Sequence, residues 1–248
     1  MTDEVRSAAD LVCCERTRSE SMVKLDDIPF SLDAELLMEQ LRVQPGTRSA
    51  GAFTDLLDRV VQVARPKAVY EVAYVDDKGD DSVVLNGVRF TSRALRRNLD
   101  PVERVFAYVV TCGTEADAVS VPEGDMTQAL WLWTIKEALV HGAAEYLYGH
   151  LATRYQLSHW AAMHPGSGDA DVWPIEQQRR LFSLLGDVEA LIGVKLTDSM
   201  LMVPTMSESG IVFATETDFA TCQVCHREDC PRRQAPFDEA VWRTLCAD

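Results

Sequence analysis

The sequence predicts an α+β fold in which an antiparallel sheet packs against a long central helix and flanking helices. Three observations lead there. Two early segments carry apolar residues at helical spacing, a β-rich stretch beginning at Ala68 is punctuated by a hairpin dipeptide, and a helical pattern runs without Pro from Met126 to about Arg154. No internal repeat of solenoid period is present.

Taken in order, Leu32, Leu36, Leu37 and Leu41 follow Ser31, an expected N-cap, and Pro45-Gly46 closes this short helix. Phe53, Leu56, Leu57, Val60, Val61 and Ala64 then trace a second amphipathic helix that stops at Pro66. From Ala68 the runs AVYEVAYV, SVVL and VRF read as two or three antiparallel strands, with Asn86-Gly87 as a type I′ hairpin turn. Ser92 caps a short helix through Leu99, and RVFAYVVT at 104–111 is apolar enough for a central strand that exits at Thr111-Cys112-Gly113. On the long helix Leu130, Trp133, Leu139, Ala143, Leu147 and Leu151 fall near one face, and Trp131, Trp133, Tyr146 and Tyr148 read as packing residues. HPGSGDADVWP at 164–174 has loop composition, and IEQQRRLFSLLGDVEALIG reads as one amphipathic helix ending at Gly193. Short strands are expected at Ser199–Val203 and Ile211–Ala214. This divides the chain into an N-terminal helical extension (1–50), an α+β core (51–215) and a Cys-rich tail packed on the core (216–248).

Composition narrows the function. With 39 acidic residues against 24 Lys plus Arg, the formal charge of −15 disfavours neutralisation of a phosphate backbone, so nucleic acid is not expected as a partner. No run of 18 apolar residues occurs and Met1–Asp10 lacks the basic-then-apolar order of a secretory peptide, which predicts no membrane span and a cytoplasmic location. His141, His150, His159 and His164 form no H-x-x-x-H or H-E-x-x-H pattern, and no P-loop, G-x-G-x-x-G, G-x-S-x-G or corrinoid-carrying D-x-H-x-x-G motif is present.

The run LIGVKLTDSMLMVPTMSESGIVF at 191–213 resembles the activation (reactivation) domain of vitamin B12 (cobalamin)-dependent methionine synthase, through Gly193, Leu196, Thr197, Asp198, Met202, Pro204, Ser209 and Gly210. FAYVVTCGTEADAV, AAEYLYGHLATRY and HPGSGDADVWPIEQQ are similar to other stretches of that family, so the resemblance covers roughly residues 60–215. It is similar also to stand-alone members associated with corrinoid methyltransferases. The resemblance implies an accessory role, not catalytic alone, in reductive reactivation of a corrinoid carried by a methyltransferase partner. It also implies S-adenosylmethionine as methyl donor and an external electron donor such as flavodoxin or ferredoxin. It implies Glu145, Pro165 and Gly166 as S-adenosylmethionine-binding positions. The family's R-x-x-x-G-Y motif, aligned on Gly166, is altered: Ala162 stands at the Arg and Ser167 at the Tyr. Loss of such an Arg removes a charge-assisted contact worth about 1.5–3 kcal/mol.

TCQVCHREDCPRR at 221–233 places Cys222, Cys225 and Cys230 in a C-x2-C-x4-C spacing that offers three corners of a metal tetrahedron. Cys112 is the favoured fourth ligand, with Cys246, Cys13, Cys14 and His226 as alternatives. Zinc and an iron–sulfur cluster both suit these ligands, and a cluster would make the chain an electron-transfer protein, a zinc clip a docking module. Arg227, Arg232 and Arg233 form a basic flank suited to docking an acidic partner.

Overall fold

The computed structural model describes residues 22–230 and 232–247. Nine strands are present among them: β1 (Met22–Leu25), β2 (Lys67–Lys78), β3 (Ser82–Leu85), β4 (Val88–Thr91), β5 (Arg104–Thr111), β6 (Trp160–Met163), β7 (Lys195–Leu196), β8 (Met202–Val203) and β9 (Ser207–Ala214). The helices are α1 (Ala34–Gln40), α2 (Arg48–Val63), α3 (Arg93–Asn98), α4 (Met126–Tyr155), α5 (Gln178–Leu185), α6 (Val188–Ile192) and α7 (Glu239–Leu245). Cys13 and Cys14 lie outside the described residues.

Seven strands form one antiparallel sheet in the order β4-β3-β2-β5-β9-β6, with β1 on the same edge of β2 as β3. Met22 to Leu25 pair with Glu71 to Ala68, and β3 takes over that edge from Val75 onward. Residues 22–50, expected as helical, thus also carry a strand of the sheet. The period-2 alternation of strand side chains divides the core in two. Phe106, Tyr108 and Val110 of β5 enter the core shared with α2 and α4, while Val105, Ala107 and Val109 enter the core shared with α3, α5 and α6. Helices on both faces explain why β5, an antiparallel strand, reads as an unbroken apolar run.

Local chemistry accounts for the element ends. Asp33 caps α1 by accepting from Glu35 and Leu36 N–H, so the cap falls two residues beyond the expected Ser31. Thr47 and Ser92 cap α2 and α3. Asn86 (φ 45°) and Gly87 (φ 78°) make the β3–β4 turn with the positive φ that a type I′ turn requires. Thirty residues make α4 about 45 Å long. Asp125 caps its start, and Gln156 in the left-handed region ends it.

Three expectations are corrected. At the start of α4 the buried stripe is Trp131 and Ile135, which continue Leu139 backward in steps of four, whereas Leu130 and Trp133 are exposed. The helix expected to run to Gly193 breaks at Gly186, whose φ of 69° and ψ of −133° leave helical space, giving α5 and α6. The strand expected at Ser199–Val203 is the two-residue β8, paired with β7, and β9 begins at Ser207 rather than Ile211. Strand β6 was not anticipated, because four residues are too few to show a period. Among the described residues no helix is long and apolar enough to cross a membrane.

Two α4 glycines, Gly142 and Gly149, face open space in a helix interior, so Gly142→Ala and Gly149→Ala are expected to raise stability by about 0.5–1 kcal/mol each. Leu139→Ala, at a side chain with no exposure, is expected to lower it by about 2–5 kcal/mol. Urea unfolding midpoints of the three variants check both expectations.

Candidate functional site

A cleft of about 460 Å³ opens where α4, β6 and its exit loop, β9 and the C-terminal segment meet. Helix α4 contributes Glu145 and Tyr148, three residues apart and therefore on neighbouring turns of one face. Strand β6 and the loop after it contribute Ala162, His164, Pro165, Gly166 and Ser167, and β9 contributes Glu208. The tail closes the cleft with Phe219–Cys222, Arg232 and Gln234. The three positions implied by resemblance, Glu145, Pro165 and Gly166, are therefore brought together, and both altered motif positions, Ala162 and Ser167, line the same space.

Sequence reasoning missed the polar centre of this cleft. Glu208 Oε1 accepts from the hydroxyls of Tyr108 and Tyr148, each at 2.8 Å, and lies 3.2 Å from His164 Nε2. The Tyr108 hydroxyl also lies 2.8 Å from His164 Nε2 and 2.6 Å from the Tyr148 hydroxyl. The signal was available: a Tyr inside RVFAYVVT and a Glu beside an apolar strand are polar groups in buried strands, and such groups need partners. Burial alone would raise the Glu208 carboxyl, but the hydrogen bond and charge of His164, with the two tyrosine hydroxyls, hold it down at about 2. Burial, reinforced by the Glu208 charge, pushes both Tyr108 and Tyr148 above the ordinary phenol range. At neutral pH the cleft floor is thus an ionised carboxylate held by neutral phenols. With Glu145 on the helix above, the arrangement favours a cationic ligand.

Close approach of backbones makes this geometry. A Cβ on Gly210 would sit 2.7 Å from the Met163 carbonyl oxygen, 2.8 Å from the His164 ring and 3.1 Å from the Tyr108 ring. Gly166, at φ 79°, packs so tightly that a Cβ would sit 2.6 Å from Ile175 Cδ1. Gly168 places the same loop against Thr221 and Cys225 of the tail.

The tail is tied to this loop by Asp169. Its carboxylate accepts from the His226 N–H, lies 2.6 Å from His226 Nδ1 and receives the Cys225 thiol at 3.6 Å. The four thiols expected as a metal set are not gathered. Cys112 sits with no exposure at the end of β5 in the core with α2 and α4. Val224, next to Cys225, belongs to the core on the opposite face. Cys222 faces the cleft and accepts from Gln234 N–H, while Cys225 turns to Asp169. Among the described residues no group of three or more His, Cys, Asp or Glu side chains is arranged to hold a metal ion, so the donors do not fit zinc or an iron–sulfur cluster as they stand. The alternatives are placed as follows: Cys246 is half-buried on α7's C-cap, and His226 is engaged by Asp169 and packs on Phe237.

Residues 97–230 match the family described as vitamin B12 dependent methionine synthase, activation domain. A crystal structure of the MetH reactivation domain bound to AdoHcy is similar with a TM-score of 0.49 and 17% sequence identity, over 90% of this chain and 89% of that one. No curated protein matches.

Gly210→Ala is expected to cost about 1–3 kcal/mol, since the Met163 carbonyl is backbone and cannot swing aside, and chemical denaturation checks it. The pH dependence has a definite sign. The Glu208 carboxyl is lower in the folded chain (about 2) than its ordinary 4.5, so its contribution is present above pH 4.5 and is lost as pH falls from there through about 2. Glu208→Gln should therefore flatten stability over that window, as read from unfolding midpoints measured between pH 2 and 6.

Proposed function

This chain belongs to the vitamin B12 dependent methionine synthase activation-domain family, and from that premise we propose that it binds S-adenosylmethionine in the cleft and serves reductive reactivation of a corrinoid held by a partner protein. The observation that supports this reading is the convergence of Glu145, Pro165 and Gly166 with the Glu208 carboxylate on one cleft. A sulfonium and an ammonium group are both cationic, and a half-buried carboxylate that stays ionised attracts them more strongly than a solvated one. Tyr148 and Trp160, whose rings lie 4.6 Å apart at the cleft wall, add aromatic surface on which a cation is stabilised. The loop backbone around Pro165 and Gly166 is pre-shaped by the fit of Gly166 against Ile175, so little ordering is left to binding.

In this reading the chain positions and the partner reacts. A partner's Co(II) corrinoid would need one electron from an external donor of flavodoxin or ferredoxin type and the sulfonium methyl group, with S-adenosylhomocysteine as the leaving product, and the residues of this chain would hold and orient the methyl donor. The chain is an accessory to a cobalamin-dependent methyltransferase or corrinoid protein. The groups it contributes are the carboxylates that hold the cation and the phenols and imidazole that keep Glu208 ionised.

Calorimetric titration of the purified chain with S-adenosylmethionine tests the reading. Saturable heat is expected, weakened about tenfold by Glu145→Gln and by Glu208→Gln in agreement with loss of one charge-assisted contact. No heat at millimolar ligand overturns it.

A further inference from the structure

The cleft has a charge polarity that its core residues alone do not explain. Glu145 and Glu208 line it from α4 and β9, and the one Lys or Arg among its described lining residues is Arg232, which comes from the tail. Arg232 is exposed but not without partners: its guanidinium pairs with Glu137 of α4 and its Cζ lies 5.9 Å from the centre of the Trp133 ring, so its charge is held beside α4. The loop that delivers it is shaped around its neighbour Arg233, which donates to the carbonyls of Cys222 and Ala235 at 3.1 Å, of Cys225 at 3.2 Å, and of Arg227. Asp169 and His226 fasten the same loop to the segment after β6. A guanidinium has five N–H donors, and the Glu137 pair engages only one of its nitrogens.

We propose that Arg232 is the carboxylate-binding residue of this cleft, so that its ligand is a zwitterion whose α-amino-acid carboxylate meets Arg232 while its cationic groups face Glu145 and Glu208. The inference rests on the S-adenosylmethionine reading above and adds to it a guanidinium for the carboxylate end of the ligand. Ala162, on the β6 wall, has no group with which to receive a carboxylate, and the tail supplies one from the other side of the cleft. The C-terminal segment is then part of the binding site rather than a separate module. A guanidinium discriminates ligands with the carboxylate from those without it, because removal of one charge-assisted partner leaves the other unpaired.

The experiment compares S-adenosylmethionine with decarboxylated S-adenosylmethionine, which keeps the sulfonium and the amine, in calorimetric titrations of the full chain. In the native chain the carboxylate-bearing ligand is expected to bind about ten- to a hundredfold tighter. Arg232→Gln should abolish that preference by weakening S-adenosylmethionine alone, and Arg232→Lys, a point charge without the fork, should restore part of it. Glu137→Gln removes the tail's fastening partner but keeps the guanidinium, and should retain the preference, which separates ligand binding from tail anchoring. Equal binding of both ligands by the native chain, or a preference that survives Arg232→Gln, overturns this inference while leaving the binding reading intact. Binding of neither ligand overturns both.

Discussion

The register between β5 and β9 is the constraint on which the rest depends. Tyr108 stands opposite Gly210, and the absence of a side chain at Gly210 is what lets the Tyr108 ring, the His164 ring and the Met163 carbonyl share one small volume. Because strand side chains alternate, this register also sends Tyr108 to the α4 face, where Tyr148 meets it edge-on with ring centres 5.7 Å apart. A slip by one residue would turn Tyr108 toward the opposite core and leave the Glu208 carboxylate without either phenol. The same hydrogen-bond ladder thus holds the middle of the sheet and sets the chemistry of the cleft.

From that centre the electrostatics follow in a definite order. A carboxylate in a half-buried place is costly unless its oxygens are satisfied, and Glu208 is satisfied by two hydroxyls and an imidazole. The phenols, kept protonated by burial and by the carboxylate charge, remain donors across the neutral range. Glu208 is therefore an ionised carboxylate rather than a poised general base, which suits holding a cation more than abstracting a proton. The long helix contributes in the same sense: Tyr148 points down to the network, and Glu145, one turn away, lines the cleft above it. The tail opposes these carboxylates with Arg232, which is paired with the Glu137 carboxylate.

Much of this site was legible as residues and little of it as a site. Glu145, Pro165 and Gly166 were expected from resemblance and do share one cleft. Tyr108, His164 and Glu208 were passed over because each, taken singly, sits in an unremarkable setting: a Tyr in an apolar strand, a His in no motif, and a Glu at a strand start. Their sequence separations of 44 to 100 residues are closed only by sheet pairing. The cysteines teach the converse. A C-x2-C spacing states which thiols are near along the chain, but the Asp169 contact turns Cys225 away from the cleft that Cys222 faces, and Cys112 packs in the α2 and α4 core while Val224, next to Cys225, packs in the core on the other face of the sheet.

The sequence by itself determined the periodic and local features: the amphipathic α2, the span of α4, the cap at Ser92, the Asn86-Gly87 hairpin and the apolar β5. These depend on backbone sterics and on side chains within a few residues of one another, which a linear string records. Only the tertiary structure decided that β1 joins the sheet edge, that α4 turns Trp131 rather than Trp133 inward, and that the tail forms a wall of the cleft. Those outcomes are set by which surfaces fit and by which buried polar groups find partners far along the chain, and no local periodicity carries that information.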